Sequence, residues 1–553
     1  MFLIHTYSIN IVTGFLLLGT PLVVCAAPID NTQLDFAPKK LESDAQLRSY
    51  YEYSRYNDVL PTKTEVNVHK EKVEKQQSEL QFLVKEIRVT KSSLLTTEEL
   101  KNALQFAGEA TMSVSQLQEI VSRINDAYEV KGILTAHAVL PPQVIRDGVV
   151  YIRLIEGRYG KILVEGNKKI LDKYVTDRIG VSAGQLSDLN KLQEELHFYN
   201  NTNNCPLSAE LRPGEEVGTS DLVLTLKEPK REWQSYMFVD NANQDESGLY
   251  RLGYVAETYG LTGSDDSLLI SPVITEGTIS GVIAYDAPIS NEGTRMNLAY
   301  SRNRVKIIDG EMHDKGFDIK AHSNDLSVGI SHPLNIKLLS KVEVFAEAHH
   351  KWSDTLYEGM TIADNEVNSF KIGFNARKYD KNGLWFAQLS TVNFNAKYEI
   401  LGESQDGSYQ NIFLLRRQNL PDTQYMLFRL FGQYTNEKLL PSAEQFSIGG
   451  MATVRGYEES LLSGNKGWFG SAEYGFPISK DKQTWRGFLF YDYGSVYNES
   501  YDNRDYISST GIGLEYFKDS WYGKVALGIP LTDSGENIEK DDGRIHFYLQ
   551  KSI

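Results

Sequence analysis

Residues 454–457 read Val454-Arg455-Gly456-Tyr457, and a later stretch reads Phe490-Tyr491-Asp492-Tyr493-Gly494. Both stretches lie in a long series of segments in which apolar and polar residues alternate, a pattern typical of β-strands. An arginine beside a glycine on a loop and an aspartate on a strand can form a directional ion pair. Such a pair matters most where a loop must be held inside a wide barrel. The spacing of the two stretches alone favours a surface turn in which Arg455 is solvated.

Sixteen strand-like segments follow one another from Trp233 to the C-terminus, joined by connections rich in Gly, Asn, Asp and Ser. They span residues 233–240, 249–259, 266–273, 278–286, 294–305, 318–333, 340–350, 368–378, 384–396, 408–420, 424–435, 468–477, 487–497, 508–517, 521–529 and 544–553. An even number of strands near ten residues long is the pattern of an outer-membrane barrel. We therefore predict a 16-stranded antiparallel transmembrane β-barrel. A large soluble β-sandwich, whose strands also alternate, is the alternative.

The overall composition is compatible with such a barrel. The 553 residues are 41% hydrophobic, which is too polar for a helical membrane protein, but a barrel needs apolar residues only at alternate positions. The formal net charge is -16 at pH 7. A general nucleic-acid binder needs a basic face to displace counterions, so we expect no nucleic-acid partner.

The N-terminal region reads as a targeting segment followed by a polar linker. Residues 11–24 are mostly apolar and precede Cys25 and Ala26, which predicts a signal peptide over 1–26. Acylation of Cys25 is the alternative. Residues 27–80 are polar, and we predict a helix over 41–57 there, with a disordered tail as the alternative. After cleavage only Cys205 remains, so no intrachain disulfide is expected.

Two α/β units of the same order, β-α-α-β-β, lie between the linker and the barrel. The first is predicted as strand 82–89, a helix starting near Thr96, helix 114–130 and strands 135–140 and 149–155. The second is predicted as strand 161–165, helices 170–179 and 187–199, and strands 206–211 and 220–227. A recurring order of elements predicts a repeated domain. A generic pair of α+β domains is the alternative.

Several short strings in these units carry a family resemblance. Residues 140–143 read Leu-Pro-Pro-Gln and residues 211–214 read Leu-Arg-Pro-Gly, which resemble the ends of POTRA repeats. Together with the loop and strand motifs, they make the chain similar to TpsB transporters, the outer-membrane half of two-partner secretion. These belong to the superfamily of outer-membrane barrel-assembly proteins.

The resemblance implies a domain plan for the whole chain. It places a signal peptide at 1–26, a plug helix (41–57) and linker at 27–80, POTRA 1 at 81–157, POTRA 2 at 158–230, and the barrel at 231–553 with a lumenal loop at 436–467. In this plan the plug helix occupies the pore at rest.

The resemblance also implies which residues hold the loop. The lumenal motif would be Val454, Arg455, Gly456 and Tyr457, and its partners on the barrel wall Phe490, Asp492, Gly494 and, as a second carboxylate, Glu473. The alternative for Arg455 is a surface turn in which its side chain is solvated.

The implied function is transport. The protein would lie in the outer membrane of a Gram-negative bacterium with its POTRA domains in the periplasm, and its partners would be a secreted TpsA-type exoprotein, the membrane lipid and, during biogenesis, the barrel-assembly machinery. The POTRA sheet edges would receive an extended cargo segment by β-augmentation. The cargo would then pass unfolded through the barrel and fold outside. An assembly factor or insertase of the same superfamily is one alternative, and a passive porin or receptor is another.

No pattern in the chain indicates catalysis. The phosphate-binding GxxxxGK and the zinc-binding HExxH are both missing from the sequence. His349 and His350 are adjacent on a strand, so their side chains point to opposite faces and cannot chelate one metal together. The acidic stretch 533–542 lacks an EF-hand pattern and reads as a solvated loop. We therefore expect no enzyme activity, no cofactor and no metal.

Overall fold

The computed structural model describes residues 67–68, 81–131, 133, 136–216, 218–481, 484–498, 503–532 and 543–553. The predicted signal peptide, the predicted helix over 41–57 and the acidic stretch 533–542 lie outside these residues. Two compact units divide the described chain: one within Thr62–Glu228 and one within Pro229–Ile553. In neither unit do the described residues form a helix long and apolar enough to cross a membrane.

The α/β unit contains two repeats. Its elements are β1 (Asn67–Val68), β2 (Gln81–Val84), β3 (Glu86–Val89), α1 (Thr97–Leu104), β4 (Ala110–Ser113), α2 (Val114–Val130), β5 (Ala136–Val139), β6 (Val149–Glu156), β7 (Arg158–Glu165), α3 (Asp172–Ile179), α4 (Leu189–Thr202), β8 (Leu207–Pro213) and β9 (Thr219–Leu226). The first repeat has a sheet of order β3-β6-β5 and the second a sheet of order β1-β8-β9-β7. Helix α1 begins at the N-cap Thr96, which forms a capping box with Glu99.

The prediction of one strand over 82–89 is wrong. The chain changes partner at Lys85: β2 pairs antiparallel with β4, whereas β3 pairs parallel with β6. The carbonyl oxygen of Gly148 accepts hydrogen bonds from the backbone N–H groups of both Lys85 and Glu86, at 2.7 and 3.2 Å. Strand β4 was not predicted because its four residues run directly into α2 and carry no alternation of their own.

The barrel unit contains the remaining elements. They are β10 (Trp233–Asp240), β11 (Arg251–Tyr259), β12 (Ser267–Ile274), β13 (Thr278–Pro288), β14 (Arg295–Lys306), α5 (Glu311–Asp314), β15 (Ile319–Lys337), β16 (Ser340–Tyr357), β17 (Met360–Asp380), β18 (Gly383–Tyr398), β19 (Glu403–Asn419), β20 (Tyr425–Tyr434), β21 (Phe446–Ile448), β22 (Leu462–Gly464), β23 (Lys466–Pro477), β24 (Trp485–Asn498), β25 (Asn503–Lys518), β26 (Trp521–Pro530) and β27 (Arg544–Ser552). All these strands except β21 and β22 form one closed antiparallel barrel.

The barrel closes where its first strand pairs with its last. Strand β10 pairs antiparallel with β27 from Tyr236 opposite Ser552 to Asp240 opposite Tyr548. Closure leaves no free sheet edge, so every strand is hydrogen-bonded on both sides, as a barrel in lipid requires. The predicted 16-stranded antiparallel barrel is confirmed.

The two faces of the wall follow the alternation. In β27, Ile545 and Leu549 are exposed on the outer face, while His546, Tyr548 and Gln550 are buried on the inner face. Because the strands are antiparallel, every second strand starts at the same rim. Four exposed tryptophans mark that rim, which we call the Trp rim: Trp233, Trp385, Trp485 and Trp521 lie within the first three residues of β10, β18, β24 and β26. Such a ring is an aromatic girdle.

Candidate functional site

The long connection between β20 and β23, residues 435–465, is the lumenal loop. Its residues 446–448 and 462–464 pair as the small antiparallel hairpin β21–β22. Phe446, Ile448 and Val454 are fully buried and pack with Phe469 of the wall. A connection that buries apolar side chains against the inner wall is a folded part of the barrel interior.

Arg455 at the loop tip has an exposed fraction of 0%. Its Nε donates to Oδ2 of Asp492 at 2.7 Å, and its Nη2 donates to Oδ1 at 2.9 Å. Its Nη1 donates to Oε2 of Glu473 at 2.7 Å. The guanidinium carbon lies 3.5 Å from the ring centroid of Phe490. Arg455 thus makes a bidentate pair with one carboxylate, a single bond to a second carboxylate and a cation–π contact.

The charge around Arg455 extends to residues that were not predicted. Nζ of Lys524 lies 3.3 Å from Oε1 of Glu473 and 3.0 Å from Oε1 of Glu515. The hydroxyl of Tyr425 donates to Oε1 of Glu473 at 3.0 Å. Glu515 and Lys524 face inward on neighbouring strands, β25 and β26. Their signal in the sequence is a charge at an inward position of each strand, and the two lie directly opposite each other in the β25–β26 hairpin.

A second arginine holds the loop backbone. Nη1 of Arg429 on β20 donates to the carbonyl oxygen of Ala452 at 2.7 Å, and its Nη2 donates to Oγ of Ser471 at 3.1 Å. Ser471 in turn donates to Oδ1 of Asp492 at 2.7 Å. The wall residue that holds the loop carbonyl is therefore connected to the wall residue that holds Arg455.

Gly456 lies directly against the wall. Its φ of 94° is in the left-handed region, and its N–H donates to Nε2 of His546 at 2.9 Å. A Cβ atom on Gly456 would lie 2.9 Å from the carbonyl carbon of Gly528, and a Cβ atom on Gly528 would lie 2.4 Å from the nitrogen of Gly456. Two glycines, one on the loop and one on β26, thus allow two backbones to touch.

The remaining predicted residues surround the same contact. A Cβ atom on Gly494 would lie 3.0 Å from Cγ2 of Val454, so glycine provides the space for the valine. The Tyr457 hydroxyl lies 2.7 Å from the carbonyl oxygen of Thr532 and 3.0 Å from that of Ser508. The structure therefore brings the four loop residues and the four predicted wall residues together.

The loop meets the wall at a second place, nearer its start. Nζ of Lys351 on β16 donates to Oε1 of Glu444 at 2.6 Å, and the Tyr409 hydroxyl on β19 also bonds to the Glu444 carboxylate. Gln433 donates to the backbone carbonyl of Glu444 at 2.7 Å. Glu444 is 2% exposed. The sequence offered no motif for this contact.

The two adjacent histidines lie on opposite faces of β16. Nδ1 of buried His349 lies 3.1 Å from Oδ2 of Asp325, and Nδ1 of exposed His350 lies 2.8 Å from Oδ1 of Asn368. Within the described residues no three His, Cys, Asp or Glu side chains lie close enough together to hold a metal ion.

Comparison with protein families gives two matches. Residues 218–516 match the family described as haemolysin secretion/activation protein ShlB/FhaC/HecB, and residues 82–157 match the POTRA domain of ShlB type. The first match includes the lumenal loop and 13 of the 16 barrel strands complete, β10 to β20 with β23 and β24.

Individual relatives align over most of the chain. The heme/hemopexin transporter protein HuxB of Haemophilus influenzae is 26% identical over 495 residues, which cover 84% of this chain and 86% of HuxB. The outer membrane transporter CdiB of Escherichia coli is 22% identical and covers 81% of this chain and 79% of its own.

Solved structures show the same fold. CdiB from Escherichia coli has a TM-score of 0.64 at 19% identity, covering 92% of this chain and 98% of CdiB. BamA from Haemophilus ducreyi, lacking POTRA domains 1–3, has a TM-score of 0.53 at 13% identity, covering 85% of this chain and 100% of that one. At these identities the structural likeness concerns the fold alone.

Proposed function

Because the chain belongs to the family of haemolysin secretion/activation proteins of ShlB/FhaC/HecB type, we propose that it secretes a large exoprotein across the outer membrane of a Gram-negative bacterium. The barrel sits in the outer membrane and the POTRA domains lie in the periplasm. Strand β10 follows the POTRA domains directly in the sequence, so the Trp rim is the periplasmic rim. The names of HuxB and CdiB, both transporters, support this function.

The observation that carries the proposal is the lumenal loop held by Arg455. A closed barrel provides a path across lipid, and the loop occupies part of that path in a fixed position. Taking away one partner of a buried ion pair costs on the order of 3–5 kcal/mol, because the other charge is left without compensation. Such a contact keeps the loop in one place while cargo passes, and we assign this role to the loop motif with Glu473, Phe490, Asp492 and Gly494.

Cargo recognition is assigned to the POTRA sheet edges. In the second repeat, β8 already carries a short parallel strand of this same chain, with Asn67 opposite Glu210 and Val68 opposite Leu211. An edge that pairs with an extended segment of its own chain has the hydrogen-bonding groups that an unfolded cargo segment would need.

Transport in this proposal proceeds without a catalytic step or a nucleotide. The cargo enters unfolded and folds outside the cell, which makes the movement directional. The predicted helix over 41–57 would occupy the pore at rest. Deleting it should then raise the conductance of the reconstituted channel, and unchanged single-channel currents would remove this helix from the proposal.

The test is a deletion of the gene followed by mass spectrometry of the culture supernatant. One or a few large proteins should disappear from the supernatant and return when the wild-type gene is restored. An assembly factor would give a different outcome, since several outer-membrane proteins would then decline in the membrane fraction while the supernatant stayed unchanged. That outcome would replace secretion by the assembly function of the BamA superfamily.

A further inference from the structure

The outer face of the barrel wall carries an open groove of about 740 Å³. Its lining includes Gly470, which has no side chain, and Ala472, whose side chain is a methyl group. These two residues form the floor of the groove on β23. Trp385 lies at the end near the Trp rim, and Trp468 and Tyr493 lie at the other end. A Cβ atom on Gly470 would meet Cζ3 of Trp468 at 3.5 Å, an ordinary contact. The groove crosses five neighbouring strands of the wall, β18, β19, β20, β23 and β24.

Charged groups surround the end of the groove at Trp385. The guanidinium carbon of Arg416 lies 5.0 Å from the ring centroid of Trp385, and its Nη1 donates to Oδ2 of Asp380 at 2.7 Å. Exposed Lys378 is the direct neighbour of Trp385 on the next strand. A charge on a lipid-facing surface costs about 2–4 kcal/mol at the membrane midplane and about 0–1 near the interface. Three such charges therefore place this end of the groove at the level of the headgroups.

The order of the charges along β17 matches one kind of headgroup. Lys378 and Asp380 share the outer face, and Asp380 is two residues nearer the Trp rim, a step of roughly 7 Å. An aminophospholipid has the same order: acyl chains, then the anionic phosphate, then the outermost ammonium group. A phosphate beside Lys378 and Arg416 would leave the ammonium beside Asp380.

Asp380 lies open to the membrane interface. Its carboxylate accepts hydrogen bonds from Nη1 and Nη2 of Arg416, at 2.7 and 3.2 Å, and from the backbone N–H of Asn382 at 2.8 Å. The backbone N–H of Gly383 also bonds to this carboxylate. The Asp380 side chain is 36% exposed, so a cationic headgroup can reach its carboxylate from the membrane interface.

We propose that this groove binds a zwitterionic aminophospholipid of the periplasmic leaflet. One acyl chain lies over Gly470 and Ala472, the phosphate contacts Lys378 and Arg416, and the ammonium donates to Asp380. A choline headgroup has no N–H to donate, and a purely anionic headgroup would be repelled by the Asp380 carboxylate. The groove therefore distinguishes the aminophospholipid headgroup from both of the others. The proposal requires only that the barrel sits in lipid and does not depend on secretion.

The experiment uses the quenching of tryptophan fluorescence by brominated acyl chains. The full chain in detergent is titrated with brominated phosphatidylethanolamine and, separately, with brominated phosphatidylcholine. The emission of Trp385 is obtained as the difference between the wild type and Trp385→Phe. We expect half-quenching at a roughly tenfold lower concentration of the ethanolamine lipid, the factor given by one charge-assisted hydrogen bond.

Variants test the contribution of the headgroup contact and that of the groove floor separately. Asp380→Asn should abolish the preference between the two lipids. Ala472→Phe should raise the half-quenching concentration for both lipids, because it fills the floor. Lys551→Gln is the matched control: its Nζ lies 5.1 Å from the ring centroid of Trp521 at the same rim, outside the groove, so the preference at Trp385 should persist.

Heat-modifiable migration in gels shows whether each variant barrel is folded. Equal half-quenching by the two lipids in the wild type would overturn the proposal and leave only unspecific annular lipid. A preference that survives Asp380→Asn in a folded barrel would also overturn the assignment of the ammonium site.

Discussion

The lumenal loop meets the barrel wall at two places that differ in how charge is balanced. At the tip, Arg455 and Lys524 face three carboxylates, those of Glu473, Asp492 and Glu515, and all five side chains are at most 2% exposed. At the start of the loop, one pair joins Glu444 to Lys351, supplemented by a tyrosine hydroxyl. Removing a cation leaves two uncompensated negative charges at the tip, but only one at the start. The two contacts should therefore differ in their importance for keeping the loop in the lumen.

Arg455→Ala should have the largest effect. It removes the ion pairs of Arg455 with Asp492 and Glu473 and leaves a net charge of minus two in a buried site. The loop contact loses at least about 3–5 kcal/mol. We expect the loop to leave the wall and secretion to be lost, while the barrel still assembles because its strands pair without the loop. Cargo in the supernatant, heat-modifiable migration and protease access to residues 449–459 measure the three outcomes.

Arg304→Ala is the control for that variant. Arg304 is exposed on the outer face of β14, so its removal should leave secretion and protease access unchanged. Normal secretion by Arg455→Ala with a folded barrel would contradict the role given to the tip.

The contact at the loop tip was predicted from the sequence, whereas the contact at the start of the loop was not. Arg455 and Asp492 lie in short motifs that are weak by themselves and were paired through the family resemblance, whereas the barrel itself follows from the alternation in sixteen segments. Lys351 lies 93 residues before Glu444, and nothing in either strand indicates the partner. Which inward charges meet across a lumen depends on closure, strand tilt and register, and these are properties of the complete barrel.

The break in the predicted strand 82–89 was missed for a similar reason. The segment 82–89 alternates like one strand, yet it divides at Lys85 because the carbonyl of Gly148, far along the chain, bonds to two successive N–H groups. A pattern can predict that a segment is extended, whereas its partner is decided by the other strands of the sheet.

Gly528→Ala tests the tip without changing any charge. The added Cβ would lie 2.4 Å from the backbone nitrogen of Gly456, so the loop or the strand must move, at a cost of about 1–3 kcal/mol. We expect reduced but measurable secretion and increased protease access at the tip. Gly523→Ala on the same strand is the control, since its nearest atom would be 3.4 Å away. Equal behaviour of the two variants would show that backbone contact at the tip is dispensable.

Lys351→Met tests the start of the loop. The Glu444 carboxylate would keep the Tyr409 hydroxyl but lose the Lys351 ammonium, at a cost of about 3 kcal/mol because a buried charge is left without its partner. We expect faster hydrogen exchange in residues 436–448, unchanged exchange around Arg455, and nearly normal secretion.

The double variant Lys351→Glu with Glu444→Lys restores a pair of opposite charges at the same place. It should recover part of the slow exchange that Lys351→Glu alone loses. If Lys351→Met released the loop tip as well as the start of the loop, the two contacts would form one cooperative unit. Their different importance for holding the loop would then be contradicted.

A carboxylate in the first POTRA repeat gives the smallest expected effect, because its partners are all uncharged. Glu156 accepts hydrogen bonds from the backbone N–H groups of Ser93 and Leu94, at 2.8 and 3.2 Å, and from the hydroxyls of Ser92 and Tyr128. Burial alone would raise the pKa of Glu156, but these donors outweigh it and hold the pKa below its ordinary value of 4.5. Burial raises the pKa of Tyr128 to about 12, so its hydroxyl remains a donor at neutral pH.

A depressed pKa of the folded state stabilises the repeat above the pKa of the unfolded chain, and this contribution is lost as the pH falls through the folded value. Native-state hydrogen exchange in α2, corrected for the intrinsic rate, should therefore show a lower free energy of opening below about pH 4.5. Glu156→Gln should lower it by roughly 1 kcal/mol at pH 7 and remove most of the pH dependence. Glu119→Gln, at an exposed position of α2, is the control and should change neither the free energy of opening nor its pH dependence. If Glu156→Gln cost as much free energy as Lys351→Met, uncharged donors would hold a carboxylate as firmly as a buried cation does.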